Sequence, residues 1–306
     1  MKKAIKFFTS ELHGWSSPCN DGSVSEYDKK TGLEVLQVNS IQSFIQALDY
    51  LKFKLYAKEE TIYFRGQHSL YDTGLDDNGK YLFQPSALRS LKNPKALQNV
   101  KATISQSIKT FRRMLPRFSD STKYNDKVIE GLMQQYGLST TWFDVVDNIW
   151  IALWFACYKS DSPVEIRISR IANSKKWQER AFVHMVRRSK NSEPNGFAYV
   201  FVLGGSDENV ELIDLRSTIP SDFIRPHVQH GVLIRTRGVR TVNMYDLVKG
   251  IIRIRLQDAL DWLGDGQIFQ PSSILPPPNY DAGFKQLLMS ESQYAGTDVL
   301  RFPIYC

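Results

Sequence analysis

Residues 132–156 read LMQQYGLSTTWFDVVDNIWIALWFA, a polar segment that runs directly into a strongly apolar one. The polar part, 136–141, combines three hydroxyl side chains with a glycine, which lets a backbone approach a ligand closely. In the apolar part, hydrophobic residues recur at helical spacing, and two tryptophans widen the stripe. Asp144 or Asp147 can cap this helix. The stretch therefore predicts a polar turn held on a buried helix, which fixes functional groups rigidly.

The composition of the 306 residues is typical of a soluble globular protein, with 42% hydrophobic and 23% charged residues. No apolar run approaches the roughly 20 residues that cross a bilayer. The basic start of the chain has no long apolar region or cleavage site, so secretion is not predicted. The three cysteines are few, odd in number and widely spaced, which indicates a reducing compartment without disulfides. We expect a cytoplasmic protein without membrane contact.

The net charge of +7 is compatible with nucleic acid or another anionic ligand. The lysines and arginines are spread along the chain rather than collected in a tail, so charge alone is weak support for nucleic-acid binding.

Hydrophobic periodicity predicts an α+β fold, with a helix-rich N-terminal half packed on a mixed, mainly antiparallel sheet formed largely by the C-terminal half. Outside the central stretch, helices are predicted near 40–54, 94–118, 257–263 and 279–289. Strands are predicted at 61–64, 164–168, 197–203, 210–215, 231–236 and 252–256. We predict a single domain over 1–306, with its core at about 40–256. Residues 1–38 form an irregular or hairpin extension, and residues 257–306 a helical one.

Four separated motifs resemble those of the FRG-domain family, in the same order. They are YFRGQ at 63–67, QPSALR at 84–89, the long central signature at 134–156, and RPHVQHG at 225–231. Within the signature, Gln135, Ser139, Thr141 and Val145 stand where the family usually has His, Pro, Arg and Trp. The chain is therefore identified as a divergent relative of this family, with an altered polar half of the signature.

The resemblance implies a similarity to ADP-ribosyltransferases, in which a strand-end arginine contacts NAD and a Ser-Thr-Ser-like segment lines the nicotinamide site. On that mapping Arg65 is the arginine, 139–141 is the hydroxyl segment, and Gln229 or Glu211 takes the place of the third catalytic group. The implied cofactor is NAD, without a metal. The implied catalytic residues are Arg65, Thr140, Asp144 and Gln229. The implied cofactor-binding residues are Arg65, Gly66, Gln67, Arg89, Tyr136, Ser139 and Thr141.

The implied biological role is that of a toxin or phage-defence effector acting on a nucleic acid or protein acceptor. The same residues also allow simpler interpretations. Arg65 can clamp a diphosphate or pair with a carboxylate such as that of Asp144. The hydroxyls can bind a ribose or satisfy their own turn. Tyr136 can stack on a ligand or belong to the core.

Two other functions remain open at this point. One is a nucleic-acid-binding module without catalysis, and the other is a ligand or partner sensor built on an altered site. His227 and His230 are three residues apart, but no cysteine or dense set of carboxylates accompanies them. A zinc site is therefore not favoured.

Overall fold

The structure is a computed structural model that describes residues 19–28, 33–58, 60–70, 83–88, 94–120, 122–160, 169–170, 177–178, 185–187, 196–205, 210–236 and 244–293. The predicted strand at 164–168 and the candidate ligand residue Arg89 lie outside these ranges. None of the helices within them is long and apolar enough to cross a membrane.

An eight-stranded mixed sheet organises the fold, in the order β1-β2-β12-β9-β3-β4-β11-β10. Its neighbours are antiparallel except for β12 and β2, which run parallel. The strands are β1 (Val24–Asp28), β2 (Leu33–Val38), β3 (Thr61–Gln67), β4 (Phe143–Val146), β9 (Phe197–Gly205), β10 (Val210–Asp214), β11 (Gly231–Thr236) and β12 (Val248–Arg255). Two small sheets pair β5 (Tyr158–Ser160) with β8 (Met185–Arg187), and β6 (Ser169–Arg170) with β7 (Trp177–Gln178).

Nine α-helices lie within the described ranges. They are α1 (Ile41–Tyr56), α2 (Pro94–Met114), α3 (Asp126–Gln135), α4 (Ile149–Cys157), α5 (Leu215–Thr218), α6 (Ile224–Val228), α7 (Leu256–Trp262), α8 (Pro271–Ile274) and α9 (Ala282–Gln293). The long helices lie mostly in the first half of the chain and most strand residues in the second, so the predicted α+β class is confirmed. Short 3-10 turns occur at Ser86–Leu88, Pro116–Phe118, Met244–Leu247 and Gly264–Gly266.

Two hydrophobic clusters fill the interior. The larger surrounds the sheet together with α1, α4 and α7, and the smaller is built around α2, α3 and α9. Helix α4 is apolar on nearly every side and contributes six buried residues, as expected of a helix enclosed by a core. Leu260 of α7 and Phe284 of α9 are also buried in these clusters, so described residues after 256 take part in the core.

The central stretch is more divided than the sequence predicts. Its first residues complete α3, and the strand β4 separates the polar turn from α4. The predicted cap was wrong, because Asn148 caps α4 by accepting hydrogen bonds from the backbone N–H groups of Trp150 and Ile151. Near the N-terminus, β1 and β2 form the hairpin that the sequence left open, and β2 joins the main sheet beside β12.

Candidate functional site

The end of helix α3 is fixed against strand β4 by packing between the helix and the sheet. Leu233 lies directly across from Asp144, so both side chains occupy one face of the sheet. On that face the helix approaches so closely that a Cβ on Gly131 would lie 2.5 Å from Leu233 Cδ1. The last residues of α3 therefore reach the Asp144 carboxylate. Gln134 donates from Nε2 to Oδ2 over 2.6 Å, and Gln135 donates from Nε2 to Oδ1 over 3.0 Å.

Arg65 reaches the same point from the neighbouring strand β3. Its guanidinium lies 4.2 Å from the centroid of the Phe143 ring, and its Nη1 donates to the backbone carbonyl of Asp144 over 2.6 Å. The simpler interpretation paired Arg65 with the carboxylate of Asp144. The two residues do contact each other, although this hydrogen bond is to the backbone carbonyl of Asp144. Thr140 joins them by donating its hydroxyl to Gln134 Oε1. We call Arg65, Gln134, Gln135, Thr140 and Asp144 the signature cluster.

The three hydroxyl residues of the turn have different surroundings. Ser139 is exposed. Thr140 is fully buried, and its Oγ1 also accepts a hydrogen bond from Trp142 N over 3.2 Å. Thr141 donates to Glu130 Oε1 from its backbone nitrogen over 2.9 Å and from its hydroxyl over 2.7 Å. Two of the three hydroxyls thus bond within the turn and its supporting helix, and only Ser139 faces solvent.

Arg235 of β11 lies on the other side of Thr141. It stacks on the Trp142 ring at 4.2 Å and donates from Nη1 to Thr141 Oγ1 over 3.1 Å. Its Nε donates to Glu211 over 2.6 Å, and Lys127 also donates to Glu211. Burial by itself would raise the pKa of Glu211, but hydrogen bonds from Lys127 and Arg235 outweigh it and lower the pKa. Glu211, the alternative third catalytic group, is therefore an ionised partner of two cations.

Tyr136 belongs to the core. Its hydroxyl donates to Asp281 Oδ2 over 2.6 Å, and its ring packs 5.0 Å from that of Phe284. The buried Arg225 guanidinium lies 4.9 Å from the Tyr136 ring and donates to the Gln135 carbonyl over 3.2 Å. Burial raises the pKa of Tyr136 well above its usual value, and the Asp281 carboxylate raises it further, whereas Arg225 opposes the shift.

The other candidate residues are placed as follows. Gln229 is 7% exposed and donates from Nε2 to the carbonyl of Ile274 over 2.8 Å, so its side chain is directed toward the end of α8. Gly66 lies beneath α4, where a Cβ would meet the helix backbone. Gln67 is 6% exposed, and its buried Oε1 accepts no hydrogen bond from the described residues.

The structure reveals a second polar group, whose members the sequence did not predict to lie together. His230 Nδ1 lies 2.8 Å from Asp147 Oδ1, and Arg216 Nη1 donates to Asp147 Oδ2 over 2.6 Å. Arg216 also binds Asp214, and these hydrogen bonds lower the pKa of Asp214. The Asp147 and His230 side chains are 36% and 39% exposed. The hydrogen bonds of the His230 ring to described residues are made by Nδ1, and none is made by Nε2. Asp147 and His230 are 83 residues apart, so only the pairing of β4 with β11 brings them together.

This group borders the signature cluster. A Cβ on Gly231, the residue after His230, would lie 3.2 Å from Gln135 Oε1. The Gln135 side chain therefore lies over the backbone that carries His230. A mostly apolar pocket lies elsewhere on the sheet, and none of the predicted site residues lines it. Its lining is Thr61, Tyr63, Leu203, Gly204, Val210, Leu212, Ile234 and Leu247. No group of three or more His, Cys, Asp or Glu suited to a metal ion occurs among the described residues.

Comparison with protein families gives one match. The model of the FRG domain matches residues 60–165, a range that includes the signature cluster and ends before Arg225. Searches of curated proteins and of solved structures found no match. Of the four motifs on which the resemblance was based, those at 63–67, 84–89 and 134–156 lie in the matched range, and the one at 225–231 lies outside it. Residues 60–165 of this chain therefore match the model of the FRG domain.

Proposed function

We propose that the chain binds NAD at the signature cluster and transfers its ADP-ribosyl group to a nucleic acid or protein acceptor. In that reaction the bond between ribose C1′ and the nicotinamide nitrogen breaks, and nicotinamide leaves with the bonding electron pair. A lone pair of the acceptor forms the new bond to C1′, and the acceptor's proton passes to solvent. The observation that supports the proposal is that Arg65, from strand β3, meets the central signature at Asp144, to which Thr140 is linked through Gln134.

The proposed roles follow from the chemistry of these side chains. The Arg65 guanidinium lies over the Phe143 ring, and the forked donors of a guanidinium suit a diphosphate. A carboxylate fixed by two amides is a preorganised negative charge, which would stabilise an oxocarbenium-like centre. Ser139 carries the exposed hydroxyl of the turn, and this hydroxyl would bond a ribose.

A second candidate function is ligand binding without turnover. It is favoured by the hydrogen bonds that Thr140, Thr141 and Gln229 make within the fold. It is also favoured by Gln135. An amide stays neutral across the physiological pH range, so it cannot serve as a general acid or base as an imidazole can.

The test uses the purified full chain with NAD, and measures released nicotinamide together with the shift in melting temperature. Arg65→Lys keeps the positive charge but removes the fork. Arg253→Lys is the matched control, because Arg253 also projects from a strand and lies 4.7 Å from a phenylalanine ring, that of Phe197. We expect at least a tenfold loss of nicotinamide release in Arg65→Lys and none in the control.

The outcomes separate the two functions. NAD could raise the melting temperature in a way that depends on Arg65, with no nicotinamide released. That result would favour ligand binding without turnover over ADP-ribosyl transfer. Nicotinamide release that is equal in both variants would reject the role of Arg65. Absence of both release and shift in the wild-type protein would reject NAD as the ligand.

A further inference from the structure

The outer face of helix α1 carries two highly exposed aromatic rings. Phe53 is 72% exposed and Tyr56 is 83% exposed, and they lie one helical turn apart. The opposite face is fixed in the core by Phe44, Ala47, Leu48, Leu51 and Leu55. The rings are therefore held outward on a rigid support rather than on a loose segment.

Lysines surround these rings. Lys52 is exposed beside Phe53, and Lys54 lies with its Nζ 5.3 Å from the centroid of the Tyr50 ring. Among the described residues, the carboxylates nearest in sequence are Asp49, which is exposed one turn earlier, and Glu60. Glu60 is paired with Lys249 over 2.8 Å, so its charge is neutralised within the fold. The face therefore combines flat apolar surfaces with positive charge.

We propose that this face of α1 binds single-stranded nucleic acid. Exposed bases would stack on Phe53 and Tyr56, and the phosphates between them would contact Lys52 and Lys54. Side chains three residues apart on a helix have Cβ atoms about 5–6 Å apart. This spacing allows two successive unpaired bases to take one ring each. The net charge of +7 adds an attraction that does not depend on sequence.

An anionic membrane surface would also attract lysines and aromatic rings, but it fits this face less well. A helix that lies in a membrane interface buries a continuous apolar stripe. The outward positions here include Gln42, Asp49 and Lys52 between the apolar ones. Inserting this stripe would place a carboxylate in the apolar layer, whereas a nucleic acid strand can follow the rings and lysines alone.

The experiment measures fluorescence anisotropy of a labelled 20-nucleotide oligo-dT with the full chain at several salt concentrations. We expect Phe53→Ala/Tyr56→Ala to weaken binding at least tenfold. Tyr280→Ala, at a 67% exposed tyrosine elsewhere, should leave binding unchanged. Lys52→Gln/Lys54→Gln should reduce the slope of log Kd against log salt by about 1.4, since each phosphate contact on a single strand contributes about 0.7. Lys101→Gln/Lys109→Gln, at two exposed lysines of α2, is its matched control.

These positions are exposed except for Lys54, which is partly buried, and a thermal melt of each variant checks that the fold is kept. The proposal is overturned if the wild-type chain does not bind oligo-dT, or if the aromatic double variant binds it as tightly as the wild type. Binding only to phosphatidylserine vesicles would also overturn it, in favour of a membrane surface. The inference concerns a surface outside the signature cluster, so failure to consume NAD would leave it standing.

Discussion

A Cβ atom on Gly66 would lie 1.7 Å from the carbonyl oxygen of Ala152. Strand β3 and helix α4 therefore meet backbone against backbone. The contact fixes β3, which carries Arg65, relative to the helix that follows the central signature. The glycine of the YFRGQ motif thus has a packing reason to be a glycine, which is separate from the role in cofactor binding predicted for it.

We predict that Gly66→Ala destabilises the protein by at least about 3 kcal/mol, since the clash is with backbone that cannot rotate away. Gly204→Ala is the matched control on the adjacent strand β9. There the nearest atom to the new Cβ is Glu60 Oε2, at 2.8 Å, the end of a flexible side chain. Urea unfolding should show a much smaller loss for the control. Equal losses would mean that the β3–α4 contact can relax.

Tyr136→Phe removes the hydroxyl that donates to buried Asp281, and we expect it to cost about 1–3 kcal/mol near neutral pH. The pKa of Tyr136 is raised in the folded state, so its neutral form is favoured there. Below pH 10 the difference between wild type and variant should be constant. Above it, the tyrosine ionises only in the unfolded chain, and the wild-type advantage should shrink by about 1.4 kcal/mol per pH unit.

The measurement is urea unfolding of both proteins between pH 8 and pH 11. Tyr280→Phe, at an exposed position, serves as the control and should show no such trend. An advantage of the wild type that stays constant up to pH 11 would contradict the raised pKa.

Glu130 is 6% exposed and supports the hydroxyl turn through both hydrogen bonds from Thr141. Glu130→Gln keeps an acceptor oxygen for Thr141, and Arg235 retains Glu211 as a partner, so we expect a loss of at most about 1 kcal/mol. Glu130→Ala leaves the Thr141 N–H without its acceptor and should cost about 3 kcal/mol. Thermal and urea unfolding compare the two variants, and a similar cost for both would show that the turn does not depend on this acceptor.

Asp144 and Asp147 offer a comparison between two carboxylates at the same end of the domain. In Asp144→Asn the new amide group would face a glutamine donor, so we expect a loss of about 1–3 kcal/mol. Asp147 is 36% exposed and its ion pairs are screened by solvent, so Asp147→Asn should cost at most about 1 kcal/mol. Urea unfolding at pH 7 tests the order of the two losses. A larger loss in Asp147→Asn than in Asp144→Asn would show that the carboxylate bonded to His230 contributes more to stability.

Where periodicity is strong, the sequence predicted the elements closely. Strand β11 begins and ends at the predicted residues, and α1 differs from its prediction by a few residues. Strand β4 was missed because four apolar and acidic residues before an apolar helix are indistinguishable from its first turn. The hairpin β1–β2 was left open because its place in the sheet depends on β12, more than two hundred residues later.

The candidate site was predictable in part. Arg65, Thr140 and Asp144 lie within the motifs at 63–67 and 134–156, so the sequence predicted them as candidate site residues. Their partners were not predicted, because a glutamine at the end of a helix carries no local sign of the strand it will contact. The pairing of Asp147 with His230 arises from strand register alone. The roles of these residues in catalysis and NAD binding stay predictions.

The order of strands has a consequence for how the polypeptide is made. The FRG match contributes β3 and β4 to the main sheet, where they are flanked by β9 and β11 from later parts of the chain. During translation these two strands therefore leave the ribosome with both of their outer edges unpaired. The edge of β3 stays so until β9 has emerged, and the edge of β4 until residues beyond 231 have emerged. Unpaired edges of this kind are templates for aggregation, and long-range pairing closes slowly. A fragment cut at residue 165 would keep that exposure permanently, so expression should use the whole chain.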